Sequence, residues 1–338
     1  MKKTLSIAFV YIGLVIGAGF ASGREIFEYF SLASRTDFTG IIFASLGFAA
    51  ISYITMSLAK RYSVETFDAL LSRVSGRFAT PVKLFMNLFM FCGFFIMLAA
   101  SGVLFESTFN LPPKFGIFLL AALCFLVFVF DLRGIVTVNT VLVPLMIAGM
   151  LYLCITSMLF DTKPVSSLYN SISRNFLVSA ICYVSYNTIT AGAVLVPLSA
   201  NAKKRELLRS SVIAGCILGG LIFLVWSALN IYYDAIFSSE MPLLILAAAH
   251  GTISEWIYTA VLFMALCTTA ISQGFGILSK FRFKKALDRA LAAAIICLGA
   301  IPFAGFGFSA LISRLYSAFG FLGLGWTAML MYKYIKNK

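Results

Sequence analysis

Two short stretches of this chain carry the residue types that bind a small polar solute. The first is Gly13-Leu14-Val15-Ile16-Gly17-Ala18-Gly19-Phe20-Ala21-Ser22-Gly23-Arg24-Glu25, with glycines in the middle of an apolar run. A helix opened at Gly17, Ala18 and Gly19 presents backbone N–H groups and the positive end of the next helical segment. Both suit an anion such as a carboxylate. Glycine is needed where a ligand must approach the backbone. The second stretch gathers hydroxyls, an amide and a ring at Ser185, Tyr186, Asn187 and Thr188. Its carbonyls and Asn187 would take an amine, and Phe20, Phe91, Phe94 and Tyr186 would wall the pocket. Each stretch alone has a plainer explanation. Gly13 and Gly17 fit small-residue helix packing, and Ser and Thr can bond to their own helix. A third group, Ala265, Thr268 and Thr269, lies at i, i+3 and i+4, on one helix face.

These residues must be positioned by membrane helices. Hydrophobic residues make up 61% of the 338-residue chain and charged residues 12%, against about 45–50% and about 25% in soluble domains. Apolar segments of membrane-spanning length occur at approximately 5–30, 38–59, 82–109, 115–130, 135–160, 172–198, 209–233, 252–281, 286–303 and 306–335. The fourth is short and extends through Pro113 if it is to span. The segment at 63–77 has helical spacing of Val64, Phe67, Leu70, Leu71 and Val74 among charges, which fits a surface helix. The apolar segment 241–249 is too short to span and reads as an outer lid.

The net charge of +13 is spread over alternate loops, which argues for membrane orientation and against nucleic acid. With the N-terminus inside, twenty Lys and Arg fall on the cytoplasmic side. Only Arg35, Lys114, Lys163 and Arg174 fall outside, while Arg24 and Arg314 lie within spans. Both termini are thus expected in the cytoplasm, in the inner or plasma membrane. Met1-Lys2-Lys3 and the apolar run after it mimic a signal peptide, but the run is longer than such a region and is expected to be retained. All seven cysteines fall in apolar segments without C-x-x-C spacing. They read as small core residues rather than disulfides or a metal site.

Ten spans divide into two halves of five, and an odd number per half inverts one half against the other. The glycine stretch lies in span one and the polar stretch in span six. Both are read as interrupted helices, since opened backbone at membrane depth is tolerated only beside protein or a cavity. Paired interruptions in matching places point to a transporter binding site. The expected fold is therefore an all-α membrane protein, one domain over 1–338. Ten transmembrane helices would form a 5+5 inverted repeat (5–160 and 172–335), with helices one and six interrupted.

The stretch from Ile16 to Glu25 resembles the YkvI-like amino-acid permeases of the amino acid–polyamine–organocation superfamily, which shares the leucine-transporter fold. Arg24 stands where those proteins more often carry glutamine. In the sodium-coupled members of that fold, a small residue followed by two hydroxyl residues completes a sodium site with two carbonyls of span one. Carried over, the ligands would be Gly13, Ile16, Ala265, Thr268 and Thr269, five neutral oxygens around a monovalent cation. Proton-coupled relatives often place a lysine of span five there. Span five here holds Thr137, Asn139, Thr140 and Pro144 but no lysine, which favours sodium and leaves Glu25 or Glu106 as a proton carrier. The fold commonly closes its outer vestibule with a charged pair between spans one and ten. Glu25 and Arg314 would make that gate, with Arg24 the next candidate.

The expected function is secondary active transport of a small amino acid or related zwitterion by alternating access, coupled to sodium. Other readings are a proton-coupled or uncoupled permease for another small organic solute, a channel, or a membrane-embedded enzyme. A channel would need a continuous polar path, whereas these polar residues cluster at one depth. Catalysis finds only Ser22 and the single histidine, His250, and no nucleophile or zinc motif. The expected partners are a small-molecule substrate and the bilayer, with no cofactor beyond sodium as coupling ion. Oligomeric state is left open.

Overall fold

The computed structural model describes residues 2–130, 135–160, 175–200, 202–278, 281, 283 and 285–336. Arg133, Lys163, Arg174, Lys280, Arg282, Lys284 and Lys338, counted above among the loop charges, lie outside them. The described residues are helical and carry no strand.

Span one is cut where its glycines are. Helix α1 (Lys2–Val15) stops, α2 (Ala18–Ala21) is one turn, and α3 (Arg24–Ile26) runs into a π-helical turn, Phe27–Ser31. Gly17 is extended (φ −91°, ψ −173°), and Gly23 is left-handed (φ 78°), a conformation that favours glycine. Helix α4 (Thr39–Arg61) follows, then α5 (Phe67–Ser75), α6 (Ala79–Phe109), α7 (Pro113–Val129) and α8 (Ile135–Phe160). The second half holds α9 (Phe176–Ala200), α10 (Lys204–Ile231), α11 (Tyr233–Ile236), α12 (Pro242–Ala249) and α13 (Thr252–Leu278). It ends with α14 (Ala286–Ala304), α15 (Phe308–Leu311), a π-helical turn, and α16 (Ser317–Lys336). Span four does begin at Pro113, whose ring fits the first turn of a helix.

Span six is not interrupted. Helix α9 runs unbroken through Ser185–Thr188. Its polar side chains bond back to their own helix: Asn187 Nδ2 to the Tyr183 carbonyl (3.0 Å), Thr188 Oγ1 to the Val184 carbonyl (2.7 Å) and Thr190 Oγ1 to the Asn187 carbonyl (2.7 Å). Such bonds satisfy the side chains without opening the backbone. There is no glycine there to release it. The nearest, Gly192, is covered by the Phe67 ring.

Seven of the described helices are long and apolar enough to cross a membrane, and α1 and α7 are shorter apolar helices. Their outward faces carry large apolar side chains, such as Leu287, Ile295 and Leu298 of α14, as lipid-facing helices should. The chain is an integral membrane protein. Six cysteines are buried or half-buried, but Cys216 is exposed on α10 and so is no core residue.

The two short helices outside the spans act as plugs. Thr66 caps α5 by accepting from the Ala69 N–H (3.3 Å). Leu70 and Leu71 are fully buried, so α5 is wedged against α6, α9 and α16 rather than resting on the surface. Phe67 meets Trp326 of α16 edge-on, with ring centroids 5.9 Å apart. Helix α12 packs on α13, and its Leu243 N–H donates to the Ser22 carbonyl (3.0 Å).

Candidate functional site

The break in span one opens on a cavity of about 100 Å³. At the break the Gly17 N–H turns to the Val15 carbonyl (2.8 Å), and the Ala18 N–H donates to Thr269 Oγ1 of α13 (3.2 Å). These two amides would have bonded the Gly13 and Leu14 carbonyls in an unbroken helix. The break therefore turns both donors away from those two carbonyls. Gly17 must be small, because a β-carbon there would lie 3.0 Å from Thr269 Oγ1.

The cavity brings together Gly13, Gly17, Ala18 and Gly19 with Tyr186, Asn187, Thr268 and Thr269. With Glu25, nine of the residues singled out in the sequence thus share one space. Asn187 spends one amide N–H on the Tyr183 carbonyl, which leaves its carbonyl oxygen and its second N–H for a ligand. The Thr268 hydroxyl donates to the Ala265 carbonyl (3.1 Å). The Tyr186 ring packs against Tyr29 (5.8 Å) and Phe89 (6.4 Å).

Other expected residues point elsewhere. Ser185 faces Thr327 of α16 at 3.4 Å, and Thr188 is turned toward Tyr11 of α1. Phe20 is fully buried in the core, as are the side chains of Ile16 and Ala265. Phe94 packs on Phe128 and Phe91 on Phe95, so neither walls the cavity. That role falls to Phe89 and Met90, a few residues earlier on α6. The sequence reading also missed Thr190, Ser272 and Gln273. For the α13 residues the signal was present, since Thr269, Ser272, Gln273 and Gly276 continue the Ala265–Thr269 face at i+3 and i+4 spacing.

The expected gate is not formed. Arg314 is exposed, and Arg24 pairs instead with Glu28, at 3.5 Å. Arg24 also donates to the Ser239 carbonyl (3.0 Å) and lies over the Phe27 ring (5.6 Å). It is the cation that ties span one to the chain before α12. Glu28 is buried in this pairing, whereas Glu106 is exposed. Beyond the break, the Tyr258 hydroxyl donates to the Ala21 carbonyl (2.6 Å). The cavity is thus sealed on the side of α3 and α12. It extends along the second half of α9 and α13, past Thr190, Val194, Gln273 and Gly276.

No family model matches the sequence. Two proteins of Bacillus subtilis (strain 168) are similar to it. The uncharacterized protein YyaD is 27% identical over 316 residues, 93% of this chain and 91% of the relative. The uncharacterized membrane protein YkvI is 27% identical over 333 residues, 97% of this chain and 95% of the relative. Among solved structures, the Eremococcus coleocola manganese transporter superimposes with a TM-score of 0.61 at 14% identity, covering 97% of this chain and 78% of that chain. A Na+-coupled sialic acid symporter gives 0.62 at 16% identity, with 96% and 78% covered. The inward-facing form of Mhp1 gives 0.63 at 13% identity, with 95% and 73% covered. These likenesses concern the fold, which is the leucine-transporter-like architecture.

Proposed function

We propose that this chain is a secondary active carrier of a small amino acid or related zwitterion, working by alternating access with sodium as coupling ion. The observation that carries it is the single broken helix meeting a polar cavity, sealed at one end and extended toward the other. A channel would need polar passage at both ends.

The packing supports a 5+5 inverted repeat. Exchanging the halves turns the α4–α9 packing into α10–α1, α4–α16 into α10–α8, and α14–α6 into α7–α13, and all six packings occur. The distribution of basic residues puts both termini in the cytoplasm. The cavity then extends inward, and the sealed side, closed by α12 and Arg24, faces out.

The substrate carboxylate is assigned to the N–H end of the break at Gly17–Gly19, and the amine to Asn187 and Tyr186. Sodium is assigned to the Gly13 carbonyl with Thr268 and Thr269, completed by Ile16 and Ala265 carbonyls. The redirected amides at the break and the Thr269 hydroxyl beside them support this ligand set.

The test is uptake of labelled small amino acids into proteoliposomes, with and without a sodium gradient. Saturable, gradient-driven accumulation of unchanged solute is expected. Thr269→Ala should raise the sodium concentration for half-maximal uptake tenfold or so, the equivalent of about 1–3 kcal/mol for a hydroxyl lost from a desolvated site. Linear, non-saturating flux would make it a channel. Accumulation indifferent to sodium would remove the ion from the scheme.

A further inference from the structure

Glu25 is the only charged side chain among the described residues that line the cavity, and the proposed transport scheme gives it no part. Its place is set by two glycines. Gly23 turns the chain in the left-handed region so that α3 restarts after the break. The Glu25 side chain then lies over Gly19, and a carboxylate oxygen fills the space a β-carbon would need. Glu25 is 5% exposed.

Its surroundings are short of positive charge. On its own segment, Arg24 and Glu28 engage each other, and Arg24 reaches Ser239 and the field of Glu240. Tyr29 of the same segment stacks near Tyr186. Helix α9 supplies Tyr186, whose hydroxyl is the polar group close to the Glu25 carboxylate. Helix α13 supplies Tyr258, whose hydroxyl is spent on the Ala21 carbonyl. Helix α6 supplies Phe89 and Met90, which are uncharged. Among the described residues no cation forms an ion pair with Glu25.

The carboxylate therefore stands beside Gly19, at the same break where a substrate carboxylate would bind. Two ionised carboxylates sharing a site shielded from water repel strongly, and one of them is driven to hold a proton. We infer that Glu25 must be protonated for a zwitterion to occupy the break, so that one proton is bound along with each substrate molecule. The proton comes from water on the side to which the cavity extends and ends on a carboxyl oxygen of Glu25. No other bond changes. This rests on the zwitterion reading of the site. A substrate with an amine and no carboxylate would instead want Glu25 ionised, as its counter-ion.

The two cases differ in sign, which makes them separable. L-alanine and ethylamine are the probes, titrated into the purified full chain between about pH 6 and pH 9, the range in which a proton-linked affinity is read as a slope. The inference expects L-alanine affinity to fall up to tenfold per pH unit at the alkaline end, with about one proton taken up per molecule bound in weakly buffered solution. Glu25→Gln should still bind L-alanine, with a flat pH profile and no proton uptake. L-alanine binding with the same profile in parent and Glu25→Gln would overturn the inference and leave the carrier reading standing. Ethylamine binding in preference to L-alanine, with proton release, would overturn both. A ligand-free measurement covers the case in which neither probe binds. Carbodiimides react with protonated carboxyl groups, so Glu25 should be labelled in the folded protein, progressively less as pH rises. Mass spectrometry showing Glu25 unlabelled throughout would also refute it.

Discussion

Gly19 faces the protein's own carboxylate as much as any ligand. Because Glu25 lies over it, the first atom of any side chain at position 19 collides with Glu25 before it reaches the cavity. Overpacking of this kind costs about 1–3 kcal/mol. Gly19→Ala should therefore lower the melting temperature, and adding Glu25→Ala should recover most of the loss. The double-variant cycle measured by thermal unfolding checks this, and additive effects would mean that the two residues do not touch in the working protein. The two positions are one unit and should be varied together. Thr269 is coupled to the break in the same way, through the Ala18 N–H. Thr268 bonds to its own helix and should matter less.

At the scale of elements, the two helices read as broken differ for a reason visible in their residues. Span one has Gly17, Gly19 and Gly23, and the chain uses the first for an extended turn and the last for a left-handed one. Span six has Ser185, Asn187 and Thr188 instead. Hydroxyls and amides can leave a helix or bond back to it, and composition does not say which. Here they bond back. Polarity at midplane depth was a sound sign of the cavity, through Tyr186 and Asn187, and a poor sign of a break. The gate failed for a related reason. Sequence supplies the sign and depth of Glu25 and Arg314 but not the direction of either side chain. The cation at the sealed end is Arg24, held by Glu28 and the Ser239 carbonyl. Arg24→Gln should loosen α12 from span one. Cysteines placed on α12 should then react several-fold faster with a membrane-impermeant reagent, while Arg314→Gln leaves the rate unchanged. Equal rates in both variants would return the latch to the Leu243 N–H on the Ser22 carbonyl and the Tyr258 hydroxyl on the Ala21 carbonyl alone.

At the scale of the molecule, the broad architecture was legible because the bilayer enforces it. Hydropathy marks the helices, since unpaired backbone cannot face lipid. Boundaries at α7, α9 and α14 follow the reading to within a few residues. The partial burial of α5 was not legible. Its amphipathic spacing suits a membrane surface and a protein groove equally, and only packing against α6, α9 and α16 distinguishes them. That wedge has a spectroscopic use. The chain holds three tryptophans. The Trp226 indole N–H is tied to the Ser34 carbonyl (3.0 Å), and Trp256 is exposed against Phe109. Trp326 is buried on α16 with Phe67 of α5 at its edge, and Phe67 also covers Gly192 of α9, next to the cavity-lining Ala193 and Val194. Widening the cavity there would move Phe67 and so change the indole's surroundings. Trp326 is thus a native fluorophore beside the α5–α9 packing that the proposed alternating access would disturb. Its emission should shift when substrate binds, the shift should vanish in Trp326→Phe, and it should persist in Trp256→Phe.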